Sequence, residues 1–175
     1  MSASSVLNGL CTYFGGAYDT ATRTYRTPQV AGLGVVRRAF PKDDIGADYY
    51  LGMATGTPSG SQLVVQLPGG AERRAAVPAV QGWKRVEHRV ELHGFLISSH
   101  LFGEDAQDDA YALRDAMIAR IHADPTCGSG GFENLGFQVG EGELLEWDLA
   151  QAEAKAGLTK GYLLIKTIAV EYVQA

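Results

Sequence analysis

The spacing of apolar positions changes character along the chain, and each change marks an element. Leu7, Leu10 and Phe14 recur at intervals of three and four, which predicts a short helix over 5–14, with Ser4 or Ser5 as cap and Gly15-Gly16 as stop. Residues 16–34 are polar, rich in Gly and Thr and include Pro28, so they read as loop with little regular structure. From Val35 the period falls to two, predicting strands at Val35–Phe40, Tyr49–Met53, Gln62–Leu67 and Glu72–Val77. Turn signals separate them: Pro41-Lys42-Asp43-Asp44, Gly56-Thr57-Pro58-Ser59-Gly60 and Pro68-Gly69-Gly70. The last of these predicts a hairpin.

The longest strand signal is Trp83–Ser98. Val86, Val90, Leu92 and Leu96 fall on one face, and Arg85, Glu87, Arg89, Glu91 and His93 on the other. One face should pack on a core while the other meets water or a partner. Residues 105–123 carry the clearest helical spacing, with Ala106, Ala110, Leu113, Met117 and Ile121 on one stripe. Asp105, Asp108 and Asp109 crowd its start and Arg120 and His122 its end, as the macrodipole favours; Asp124-Pro125 stops it. After the flexible loop Gly128-Ser129-Gly130-Gly131, strands are expected near Glu143–Ala152 and Gly161–Val173. Both faces of the last are apolar, which places it inside the sheet. The order predicts an α+β fold: a mainly antiparallel sheet with helices packed on one face, in a single domain over 1–175. Segment 41–80 is a candidate hairpin excursion from it.

Composition sharpens this picture in two places. Glycine supplies 22 of 175 residues, well above the usual share of about 7%, and concentrates in turns and loops. Net charge is −5, which argues against general nucleic-acid binding. That total conceals a split: residues 1–100 hold ten Lys/Arg and seven Asp/Glu, a net of +3, while 101–175 hold five and thirteen, a net of −8. The start of the chain lacks a basic segment followed by a long apolar run, and Lys166 interrupts the most apolar late stretch. A soluble intracellular protein is expected.

The residues offer little for catalysis or cofactors. His88 and His93 face opposite sides of one strand, and neither has a metal-ligand set around it. The helix-start aspartates lack the glycine and terminal glutamate of a calcium loop. No Gly-x-Ser-x-Gly elbow or phosphate loop occurs, and the pairs Glu141/Glu143 and Glu146/Asp148 share a strand face without further chemistry. Cys11 and Cys127 form no framework, though a single bridge between them remains open. Cys11 sits near the apolar face of its helix, as a packing residue would. No enzyme, metal or cofactor is expected. The features that remain are the alternating Arg85–Glu91 face, either a solvated surface with cross-strand pairs or a subunit interface, and Ala54–Ser61, either a hairpin tip or an assembly arm.

Gly82–Ile97 (Gly-Trp-Lys-Arg-Val-Glu-His-Arg-Val-Glu-Leu-His-Gly-Phe-Leu-Ile), a short connector, and the helix Asp108–Ile121 running into His122-Ala123-Asp124-Pro125-Thr126 resemble the tail-terminator proteins of long-tailed bacteriophages. The order of elements resembles theirs over most of the chain; segment 41–80 is least similar. The resemblance implies a structural virion protein at the head-proximal end of the tail, assembled in the host cytoplasm. It would form a homohexameric ring that caps the tail tube, joins it to a head-completion or neck protein, and lets DNA pass without sequence-specific binding. It transfers no site residue. Candidate subunit or partner contacts are therefore Arg85, Glu87, Arg89 and Glu91 on the long strand, and Asp105, Asp108 and Asp109 on the helix. The charge split would give a ring two unlike faces. Another neck, head-closure or minor tail protein fits the same pattern, and a small ligand-binding domain or enzyme using the concave face of the sheet is a rival of another class.

Overall fold

A strand of sixteen residues exposes a long row of backbone donors and acceptors, and it is stable only when neighbours satisfy both sides. The computed structural model, which describes residues 3–38, 58–74, 82–128, 137–138, 142–143, 145–155 and 157–174, meets this demand with one large sheet. In chain order the elements are α1 (Ala3–Gly15), β1 (Tyr18–Asp19), β2 (Thr24–Tyr25), β3 (Val35–Arg37), β4 (Ser59–Arg74), β5 (Trp83–Ser98), α2 (Gly103–Ala123), β6 (Phe137–Gln138), β7 (Gly142–Glu143), β8 (Glu146–Lys155) and β9 (Leu158–Gln174). The sheet has seven strands in the order β1-β2-β3-β4-β5-β9-β8, and β6-β7 form a separate antiparallel pair. All pairings in the large sheet are antiparallel except β3 with β4. The fold is α+β, as the periodicity predicts.

β5 pairs along its whole length, with β4 from Ser59↔Ser98 to Arg74↔Lys84 and with β9 from Trp83↔Gln174 to Ser98↔Thr159. β9 lies inside the sheet, between β5 and β8, as expected from its two apolar faces. Both helices cover one face. Val6, Leu10 and Phe14 of α1 and Ala110, Leu113, Met117 and Ile121 of α2 share one buried cluster with Leu63 and Val65 of β4, Val90 and Leu92 of β5, and Leu163 and Ile165 of β9.

α1 begins at Ala3, so Ser4 and Ser5 lie inside its first turn instead of capping it. It ends as expected: Gly16 takes a positive φ of 75° and its N–H reaches the Thr12 carbonyl at 2.8 Å. Gly15 is required for proximity, because a Cβ there would lie 2.5 Å from that of Tyr25 and 2.7 Å from that of Val36. Tyr13 joins the two helices. Its hydroxyl donates to the Arg120 carbonyl at 2.7 Å, and the Arg120 guanidinium sits 3.9 Å above its ring. At the same end of α2, the Asp124 carboxylate accepts from the N–H groups of Thr126 and Gly128 and turns the chain away.

Several expectations need correction. Pro68-Gly69-Gly70 makes no hairpin; Gln62–Leu67 and Glu72–Arg74 belong to one continuous strand, β4. The register passes from Gln66↔Glu91 to Gly69↔Arg89, so Leu67 and Pro68 together oppose Val90. Such a bulge accommodates a residue without an N–H, and a Pro-Gly-Gly composition serves it as well as a turn. The loop 16–34 contains the short strands β1 and β2. The connector 155–160 shrinks to a tight turn between β8 and β9, with Gly157 at φ 79°. Ser59–Ser61 is no arm: Ser59 pairs with Ser98, and the Ser61 hydroxyl donates to the Gly32 carbonyl. Cys11 and Cys127 are both buried and free, so no bridge joins them. The predicted strand Tyr49–Met53, the turn at 41–44, the remainder of the candidate arm at 54–57, residues 75–77 of the predicted Glu72–Val77 and the loop residues 129–131 lie outside the described residues.

Candidate functional site

The seven candidate contact residues divide between two ends of the long strands. Arg85, Glu87 and Arg89 occupy the first half of β5, whereas Asp105, Asp108 and Asp109 follow its far end, in the first turns of α2. Glu91 lies between the groups.

At the first end, β4, β5 and β9 pair as a three-stranded ribbon, exposed along β4 and at its tip but buried at His88 of β5 and at residues 168–171 of β9. The bulge at Leu67-Pro68 marks the change: residues 60–65 of β4 are buried and 68–74 are exposed. Trp83 and Tyr172, on the ribbon face away from the helices, are 49% and 42% exposed. The alternating face of β5 is only partly the open surface expected. Arg89 is exposed, but Arg85, Glu87, Glu91 and His93 are half-buried. Strand alternation fixes the side a residue faces and says nothing of how deeply that side is covered. The charges also pair differently from a cross-strand ladder. Arg85 Nη1 meets Glu87 Oε1 along the same strand, while Lys84 Nζ bridges to Glu72 Oε1 at 2.8 Å on the opposite ribbon face.

Glu91 belongs to a cluster absent from the sequence-based expectations. His93 Nδ1 lies 2.6 Å from the Tyr162 hydroxyl and its Nε2 lies 3.2 Å from Glu91 Oε2. Burial pushes the His93 imidazole below its ordinary value, against the opposing pull of Glu91, and pushes the Tyr162 phenol up. On the helix-covered face, His88 Nε2 is held 2.9 Å from Glu171 Oε1. The two histidines therefore face opposite sides, as their odd spacing requires. The Glu91–His93–Tyr162 cluster depends on the β5–β9 register, which places Phe95 opposite Tyr162, and no local motif announces it.

At the second end, a groove of about 580 Å³ opens between the N-terminal half of α2 and strands β8 and β9. Leu96, Ala106, Tyr111, Trp147 and Leu149 supply its apolar wall, and Glu104 stands at its edge. Trp147 is 45% exposed, and the Arg114 guanidinium lies 4.4 Å from its ring centre. Immediately before α2, Leu101 and Phe102 are 87% and 61% exposed. Phe102 occupies the N-cap position in an extended conformation without a side-chain cap, so the acidic first turn compensates the helix N-terminus instead. The groove falls beside α2, on the helix-covered side of the sheet.

The structure brings together two of the candidate aspartates through a residue the pattern did not join to them. His100 Nε2 lies 3.0 Å from Asp109 Oδ2, and its Nδ1 lies 4.0 Å from Asp105 Oδ2. Since the carboxylates approach opposite nitrogens, they do not converge on one ion. Among the described residues no group of three His, Cys, Asp or Glu side chains is arranged to hold a metal. Burial raises both thiols, Cys11 and Cys127, to about 12, which keeps them protonated and unreactive at neutral pH. Among the described residues no helix is long and apolar enough to cross a membrane.

Compared with known proteins, the chain matches no protein-family model and no curated protein.

Proposed function

We propose that the protein is a structural component of a phage virion, a tail terminator whose copies form a ring, six by the resemblance, on the end of the tail tube. In this reading the ring joins the tube to a head-completion protein and leaves a channel for DNA. Its work is done by surfaces, without catalysis or cofactor. The observation that carries the reading is the exposed tip of the ribbon of β4, β5 and β9. The ribbon leaves Trp83 and Tyr172 exposed at its tip, beyond Ala169, the last residue of β9 in the core cluster. Exposed aromatic residues on an extended sheet end suit a partner surface. The α+β fold with both helices on one face is compatible with the reading.

Light scattering and negative-stain electron microscopy of the purified chain test it. The expected result is one species near six times 18.7 kDa with a central hole, which binds the ends of tail tubes and halts their growth. A monomer at all accessible concentrations, with no effect on tube length, would refute it. The groove beside α2 favours a second reading, a small ligand-binding domain, because its volume lies within the usual range of such sites, roughly 300–1,000 Å³. That reading requires a monomer that binds a small molecule there.

A further inference from the structure

The two exposed surfaces complement one another and stand at opposite ends of the same strands. β5 has sixteen residues, which at about 3.3 Å each separates its ends by roughly 50 Å. The ribbon and the groove therefore cannot meet within one chain. The charges around them are opposite: residues 68–74 and 83–89 carry five basic side chains and two acidic ones, whereas residues 101–115, which flank the groove, carry five acidic and one basic; within the groove Lys160 stands with Glu104. Each also presents exposed apolar area, Trp83 and Tyr172 on the ribbon, Trp147 in the groove wall and Leu101 and Phe102 immediately before α2.

We infer that the groove beside α2 receives the ribbon end of a second copy of this chain. The inference rests on the ring reading and names the contact that builds the ring. Such a contact is heterologous, since different surfaces of the two copies meet, and repetition closes into a ring when the rotation between copies allows it. Arg73, on the same ribbon face as Trp83, approaches Glu104 and Asp108 of the next copy, and Arg74, on the other face, adds to the positive charge of the tip. These two carboxylates are exposed, four residues apart on α2, so they share one helix face. Trp83 supplies the apolar anchor, which the exposed side chains around the groove surround.

A charge-swap experiment tests this. One variant carries Arg73→Glu and Arg74→Glu; the other carries Glu104→Lys and Asp108→Lys. All four positions are exposed, and circular dichroism checks that each variant is folded. Each variant alone juxtaposes like charges, and its mass should fall to the 18.7 kDa of one copy. An equimolar mixture should recover the wild-type mass, because every reversed surface then finds an opposite charge. Retention of the wild-type mass by either variant would overturn the contact, and so would a mixture of folded variants that stays at one copy. Rings in the wild type and in both variants would remove this contact while leaving the ring reading intact; a monomeric wild type would remove both. As a measurement independent of charge, Trp83→Cys chains and Leu101→Cys chains are mixed and treated with a short bis-maleimide. A covalent heterodimer is expected with the native thiols silent, both being buried; absence of that heterodimer when rings are present would overturn the contact.

Discussion

The two halves of β4 share one strand and one partner, yet they live in different surroundings. Residues 60–65 are buried against neighbours on both sheet faces, and residues 68–74 are exposed while remaining paired to β5. The inner half derives its stability from side-chain burial; the outer half rests chiefly on its ladder of backbone bonds and the adjoining strands. Hydrogen-bonded continuity and packing are therefore separate properties of one strand. The bulge at Leu67-Pro68 lies at the boundary, where the added residue increases local twist.

Perturbations on the two sides of that boundary should differ by an order of magnitude. The largest effect is expected from Phe14→Ala. This ring is fully buried in the cluster under α1, and its loss should lower unfolding stability by about 3–5 kcal/mol in urea denaturation. A loss below 1 kcal/mol would mean that α1 is dispensable to the body. Tyr13→Phe removes only the hydroxyl bond to the Arg120 carbonyl and keeps the ring beneath the guanidinium. It should lower stability by about 1 kcal/mol, and Tyr13→Ala should cost clearly more.

A smaller effect should appear as pH dependence in the half-buried cluster. His93 is held below its ordinary value of 6.5, first by burial and with Glu91 opposing. The unfolded chain then takes up the proton before the folded one, so this contribution is complete above the ordinary value and is lost as pH falls below it. Denaturation midpoints should fall from pH 7 toward pH 5, and His93→Gln should flatten that part of the profile. An unchanged profile would show that the imidazole is not shielded. The smallest effect belongs to the ribbon: Glu72→Ala breaks the pair with Lys84 and should shift stability by no more than about 0.5 kcal/mol. A larger loss would erase the distinction between the two halves.

How much of this was legible depended on whether one segment's pattern decided it. β5 occupies the expected Trp83–Ser98, and α2 extends the expected 105–123 by two residues, because strict periodicity and the stop at Asp124-Pro125 reside in those residues themselves. Pro68-Gly69-Gly70 was misleading because turn and bulge favour the same residues, and only Val90 on another strand discriminates between them. The candidate acidic residues were found on the helix, but their relation to His100, Trp147 and the exposed Leu101-Phe102 pair depends on how α2 lies against β8 and β9. Single exposed aromatic residues have no period, so the groove had no signal in the chain.

The position of β9 has a consequence for how the molecule is built. It is the most C-terminal strand of the sheet, yet it is flanked by β5 and β8. During synthesis β5 therefore emerges with one complete edge open, and that edge waits for about sixty residues before its partner begins to arrive. Until then sixteen residues of unpaired backbone are available to any neighbouring chain, including a sister copy on the same message. Late, long-range pairing of this kind also slows folding. The chain is thus most susceptible to premature pairing just before its final strand closes the sheet.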